Sequence, residues 1–347
     1  MIKTNYHTHT DFCDGQASPE VMVQEAIKRN FAILGFSGHC CYPFAEDWHI
    51  QASRLGEYMQ EIRRLQETYK DSIEILLGFE ADYLPPVTRP SHPWYKTQGL
   101  DYTIGSLHYV ITSQGISTID GPIEEVVKGI ETLFSGNGRK FVENYYGLLR
   151  EMIQEGGFDI LGHLDCIRKR NALLHFFDES APWYKTEIQE TAKTIIQKGV
   201  IVEINTGGMF RKATQTPYPA FDILSLLCVR GVPVTVTSDA HSPQGLDFAF
   251  EETYRYAFQA GYRELVYLTR EKGSVVQKFF PLSSSRSCNF NVREVSDPNS
   301  LFRFLSRHKA SPQKPLPKEL EHPTALFRQR GDTAQHTQVR QQQNRQS

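Results

Sequence analysis

Seven times between residues 3 and 259, a short β-branched or apolar run is followed by a longer stretch, most of these of helical period. Parallel strands joined by crossover helices require that alternation, because each parallel connection must cross back over the sheet. The strand-like runs fall at 3–8, 32–37, 73–79, 101–106, 159–162, 200–204 and 232–236. After the first, "SPEVMVQEAIKRN" sets Ser18 as an N-cap, Pro19 at the first helical position and Glu20 in the first turn. Residues 51–69, 138–155, 179–198, 219–230 and 246–259 read as further helices, and "ELVYLTREKG" as a last strand and turn. Seven such units in about 280 residues exceed an ordinary open sheet and predict a (β/α) TIM-like barrel, with its site where the strand C-termini open into loops.

After "FFPL" the character of the chain changes to serines, scattered prolines and a Gln-rich end. Such a segment buries too little apolar surface to offset its ordering entropy. The expected division is a catalytic domain over 1–282 and a basic, mostly disordered tail over 283–347. The tail carries eleven Lys and Arg against five Asp and Glu, so the body is acidic at −8 within a net charge of −2. An acidic body argues against nucleic acid as a partner. No apolar run reaches the length of a membrane span, and the six cysteines form no C-x-x-C pair, so a cytoplasmic, reducing setting is expected.

The chemistry sits at the strand ends. "NYHTHTDFCDG" places His7 and His9 two apart, on one face of an extended strand, with Asp14 following beside a glycine. An H-x-H pair alone is weak evidence. Yet "ILGFSGH" ends in His39, "IEILLGFE" in Glu80, "DYTIGSLH" in His108, "FDILGHLD" holds His163, and "VPVTVTSDAH" ends in Asp239 and His241. Gathering these six imidazoles and three carboxylates in a barrel mouth without cations leaves lone pairs and charges uncompensated. Nine donors exceed what one zinc takes and suit two or three divalent ions; imidazole with carboxylate and no thiolate selects Zn, Mn or Fe. His49, His92 and His175 lie in loop-like stretches and His308, His322 and His336 in the tail; these read as non-ligands.

The ordered set H-x-H, D-G, S-x-H, G-x-E, G-S-x-H, L-G-H-x-D and S-D-A-H resembles the PHP (polymerase and histidinol phosphatase) family, in its histidinol-phosphatase branch, over about residues 3 to 282. The resemblance implies a distorted seven-stranded barrel, a trinuclear metal site and removal of phosphate from L-histidinol phosphate in histidine biosynthesis. Carried over by motif, His7, His9, Glu80 and Asp239 hold a first ion, Glu80 bridges to a second held by His108 and His163, and Asp14, His39 and His241 hold a third. Relatives often carry an acidic residue where this chain has Gly38, and some have histidine in place of Asp14. In that scheme a hydroxide bridging the ions attacks phosphorus, with Glu80 and Asp239 as catalytic carboxylates.

Arg168 in "HLDCIRKR" and Arg211 in "GGMFRK" follow strand ends and are candidates to grip phosphate. Glu46 and Asp47 in "YPFAEDWH" are candidates for the ammonium of the leaving half, and Asp165 for orienting a ligand or passing a proton to the departing alkoxide. The expected partner is a small phosphomonoester. A broader phosphoesterase or nuclease on the same metal set is the nearest rival, and a metal-binding scaffold without turnover the more distant one.

Overall fold

The computed structural model describes residues 2–40 and 48–282. Its strands are β1 (Thr4–Asn5), β2 (Ile33–Phe36), β3 (Glu74–Asp82), β4 (Tyr102–Ser106), β5 (Tyr109–Thr112), β6 (Gly115–Thr118), β7 (Ile160–Leu161), β8 (Ile201–Asn205), β9 (Val234–Thr237), β10 (Glu264–Glu271) and β11 (Ser274–Pro281). Seven of them pair in parallel in the order β1-β2-β3-β4-β7-β8-β9. Beyond the strand ends the ring is joined by His9 N–H to Ala240 O at 2.9 Å and Ala240 N–H to His7 O at 3.1 Å. The result is a nearly closed (β/α) barrel, and each of the seven predicted runs overlaps one of its strands, β3, β8 and β9 running one to three residues further.

Helices cover the outside where periodicity placed them. Ser18 Oγ accepts from Val21 N–H, and the helix Pro19–Lys28 buries Met22, Val23 and Ala26. Leu55–Thr68, Gly138–Glu155, Pro182–Lys198, Phe221–Val229 and Phe250–Gln259 follow. The fourth of these six helices starts three residues later than expected, because Asp178 turns the chain by accepting from Ser180 N–H and Pro182 then takes the first helical turn.

Alternation along the strands sorts side chains between two cores. On β3, Ile75, Leu77, Phe79 and Ala81 face the helices, while Leu76 belongs to an inner cluster with Ile33, Tyr102, Ile104, Ile160 and Ile201. A Cβ on Gly78 would lie 2.7 Å from the Tyr102 ring, so glycine makes room for that plug. The antiparallel β10–β11 pair adds Val266 and Leu268 to the inner cluster. Tyr6 Oη accepts from Leu268 N–H at 2.8 Å and donates to Leu268 O at 2.9 Å. Tyr6→Phe strips both backbone groups of their partner and is expected to cost about 1–3 kcal/mol. Urea unfolding would show a lower midpoint at unchanged slope.

Several elements escaped the sequence, among them Pro93–Thr97, Gly207–Phe210 and β11. The antiparallel β5–β6 pair and the helix Ile123–Phe134 form an insert directly after His108, and a short helix spans Arg168–Leu174. The described residues belong to one compact unit, and the tail expected over 283–347 lies outside them.

Candidate metal centre

All nine candidate ligands meet at the strand C-terminal end of the barrel. His7 and His9 follow β1, His39 follows β2, His108 follows β4, His163 follows β7, and Asp239 and His241 follow β9. Glu80 lies inside β3, two residues before its end, and Asp14 comes from the loop ahead of the first helix. A Cβ on Gly15 would sit 2.5 Å from Thr10 N, so only glycine permits the turn that brings Asp14 back over the site. Its Oδ2 lies 2.9 Å from His241 Nε2, and its Oδ1 3.6 Å from His9 Nδ1.

Glu80 is the hub. Oε2 lies 3.0 Å from His39 Nδ1, 3.1 Å from His7 Nε2 and 3.5 Å from His9 Nε2, while Oε1 lies 3.0 Å from His163 Nε2 and 3.5 Å from His108 Nε2. Asp239 Oδ1 stands 3.3 Å from His9 Nε2 and 3.5 Å from His241 Nδ1. Donor atoms fall into three groups each within 4.8 Å: His9, Asp14, His39 and His241; His7, His9 and Asp239; His39, Glu80 and His108. His39 and His9 thus each face two groups, and His163 reaches the centre through Glu80.

This donor set fits divalent cations. His7 Nε2, His9 Nε2, His39 Nδ1 and Glu80 Oε2 are buried, face one another and make no hydrogen bond. Buried polar atoms without partners are rare in native proteins, and bound cations would satisfy these four. Electrostatics agree. Burial alone would raise the Glu80 carboxyl, but His7, His39 and His108 hold it well below the ordinary range. Burial, with His241 and His39 nearby, drives His9 down to about 3, so it stays a neutral donor.

Carboxylates behind the ligands fix their orientation. Glu203, fully buried in β8, lies 2.9 Å from His7 Nδ1 and accepts from His163 N–H (2.6 Å), Asn205 Nδ2 (2.7 Å) and Thr237 Oγ1 (2.7 Å). The proton therefore belongs on His7 Nδ1, leaving the Nε2 lone pair aimed at Glu80. Asp82 does the same for His108 Nδ1 and also meets His49 Nε2 at 3.4 Å. Both carboxylates were missed in the sequence. The signal was the period of two: Glu203 shares a strand face with inward Ile201, and Asp82 with Glu80.

Arg211 lines the mouth as expected, but its NH2 donates to Asp239 Oδ2 at 2.6 Å and its NH1 to Asp239 O at 3.3 Å. That clamp holds Asp239 at a left-handed φ of 50°, an uncommon conformation for a non-glycine residue. Arg168 departs from expectation: Nε donates to Glu179 at 2.8 Å and NH1 to Asp165 at 3.1 Å, and it is not among the cavity-lining residues. Asp165 departs with it. Its Oδ2 accepts from Ala220 N–H at 2.9 Å and from Arg168, which gives this pair a structural role in holding loops together. Asp47 and Glu46 lie outside the described residues. His92 caps a helix start and His175 a helix end, as non-ligands should, whereas His49 is buried against Asp82 rather than in an open loop.

The ligand cluster opens into a cavity of about 750 Å³. Its far wall is the insert, through Tyr109, Ser117, Asp120, Gly129 and Leu133.

The PHP domain family matches residues 5–207, more than half of the chain. The chain belongs to the PHP family. A probable histidinol-phosphatase of Schizosaccharomyces pombe is 30% identical over 267 residues, covering 72% of this chain and 84% of that one. One from Deinococcus radiodurans is 28% identical over 268 residues, covering 76% and 96%. In fold, this PHP protein superposes on a solved histidinol phosphate phosphatase from Lactococcus lactis complexed with zinc, L-histidinol and phosphate, with a TM-score of 0.58 at 22% identity, covering 79% of this chain and 98% of that one. No helix among the described residues is long and apolar enough to cross a membrane.

Proposed function

We propose that the protein is a metal-dependent histidinol-phosphatase, hydrolysing L-histidinol phosphate to L-histidinol and phosphate within histidine biosynthesis in the cytoplasm. The observation that carries this reading is the convergence of five imidazole nitrogens within 3.5 Å of the two oxygens of Glu80. Curated relatives matched over most of their length bear that activity in their names.

His7, His9, Glu80 and Asp239 would hold one ion, Glu80, His108 and His163 a second, and Asp14, His39 and His241 a third, the metals being Zn, Mn or Fe. This partition follows the motif order and the short Glu80 distances, while His9 and His39 also stand close enough to serve a second group each. Divalent ions so held supply a water acidic enough to ionise near neutral pH and positive charge against the phosphoryl oxygens. The chain's own part is orientation. Glu203 and Asp82 fix the rings of His7 and His108, and Arg211 fixes Asp239. Arg211 lines the cavity and its buried Nε has no hydrogen-bond partner, which leaves a donor that suits a phosphoryl oxygen. Residues 1–282 form the catalytic domain in this reading, and the basic tail stands apart from it.

A nuclease is disfavoured by the acidic body and by the insert that walls the mouth into a cavity. Metal-reconstituted protein should release phosphate from L-histidinol phosphate with a kcat/KM at least about tenfold above that on sugar and nucleotide monoesters or a nitrophenyl diester, a margin of about 1.4 kcal/mol. Preference for the diester would overturn the assignment.

A further inference from the structure

The cavity wall beside His108 contains a carboxylate that the function above leaves unused. Five carboxylate residues line the cavity: Asp14, Glu80 and Asp239 belong to the metal centre, Glu125 is exposed, and the fifth is Asp120. Ile119 N–H donates to His108 O at 2.9 Å, so the chain enters the wall beside a proposed ligand and delivers the next residue, Asp120, to the cavity. Thr118 Oγ1 accepts from the N–H groups of Asp120 and Gly121, at 3.4 and 3.0 Å. Arg170 donates to the carbonyls of the same two residues, at 2.9 and 2.7 Å. Both faces of this short segment are therefore pinned, and its side chain has a fixed origin.

The Asp120 carboxylate meets Lys169 Nζ at 2.6 Å, and the two side chains are only 19% and 14% exposed. Removing an ion pair this far from water costs desolvation that packing alone does not require. A cavity wall bearing both signs suits a ligand bearing both signs. L-Histidinol phosphate is such a ligand: a phosphate dianion with an ammonium two carbons from the ester oxygen.

We propose that Asp120 is the specificity residue that takes the substrate's ammonium group, parting from Lys169, which turns to a phosphoryl oxygen. Before and after the exchange, Asp120 and Lys169 each face a group of opposite sign. A monoester without a cation offers only half of it, leaving Asp120 with no replacement for Lys169. This inference rests on the histidinol phosphate reading above.

The test compares L-histidinol phosphate with its deamino analogue, imidazolylpropyl phosphate, on the metal-loaded full-length protein. Asp120→Asn should lower the ratio of the two kcat/KM values about ten- to hundredfold, the range for a lost hydrogen bond to a charged group. The inhibition constant of the product L-histidinol should rise by a similar factor. Asp120→Glu, which keeps the charge, should recover most of the ratio. Ratios taken within one preparation do not depend on how much of the variant folds. If wild-type protein prefers L-histidinol phosphate and Asp120→Asn leaves the ratio unchanged, the Asp120 assignment is wrong and the phosphatase reading stands. If wild-type protein has no activity on L-histidinol phosphate, both fall.

Discussion

Glu80→Gln is expected to lower kcat/KM on L-histidinol phosphate by about 10³-fold or more, the scale of several kcal/mol of lost Lewis-acid stabilisation. The amide keeps the volume of the carboxylate and the packing of β3, so the barrel should persist. What it removes is the charge that five imidazoles surround. An amide also offers only one oxygen, whereas both Glu80 oxygens face imidazole nitrogens on opposite sides. The loss should therefore be in metal content as well as in rate. Steady-state kinetics read beside bound metal per chain separate this from a merely misplaced substrate, which would spare the metal.

The second large effect falls on stability. Glu203→Ala leaves His163 N–H, Asn205 Nδ2, Thr237 Oγ1 and His7 Nδ1 without their shared acceptor in a fully buried site. Breaking such a network by removing its charged centre typically costs about 3–5 kcal/mol. Denaturant unfolding of the metal-free variant should show it. Glu203→Gln divides the two roles of this residue. Its amide oxygen still accepts, so the fold suffers less, but its NH₂ placed against His7 Nδ1 forces the other tautomer and puts a proton on the nitrogen that faces Glu80. Metal affinity should then drop about 10- to 100-fold. A glutamine variant with unchanged metal affinity would show that Glu203 serves folding alone.

What the sequence made legible follows from period and position. The barrel strands could be found because short apolar runs alternate with longer stretches, most of helical period, the first of them opened by Ser18, Pro19 and Glu20. Metal candidates could be found because a residue at a strand's C-terminal end is delivered to the mouth whatever the rest of the chain does. In the insert after His108, "YVIT" and "GIST" are four-residue strands too short to mark themselves, whereas the helical period of "IEEVVKGIETLF" was there to be read. Arg168 looked like a phosphate ligand by its place after a strand end. Its actual partner, Glu179, lies eleven residues on, beyond an unforeseen short helix, where spacing carries no information about contact. Glu203 was hidden for the opposite reason: "IVEIN" reads as an apolar strand with one polar interruption, and only the neighbouring strands reveal that the interruption points inward at His7.

Elemental analysis of protein purified without exposure to chelator, read as moles of metal per chain, bears most directly on the centre built around Glu80. The groups His9-Asp14-His39-His241, His7-His9-Asp239 and His39-Glu80-His108 predict two or three equivalents of Zn, Mn or Fe in the wild type, and fewer in Glu80→Gln. Wild-type protein that hydrolyses L-histidinol phosphate while carrying no stoichiometric transition metal would contradict it.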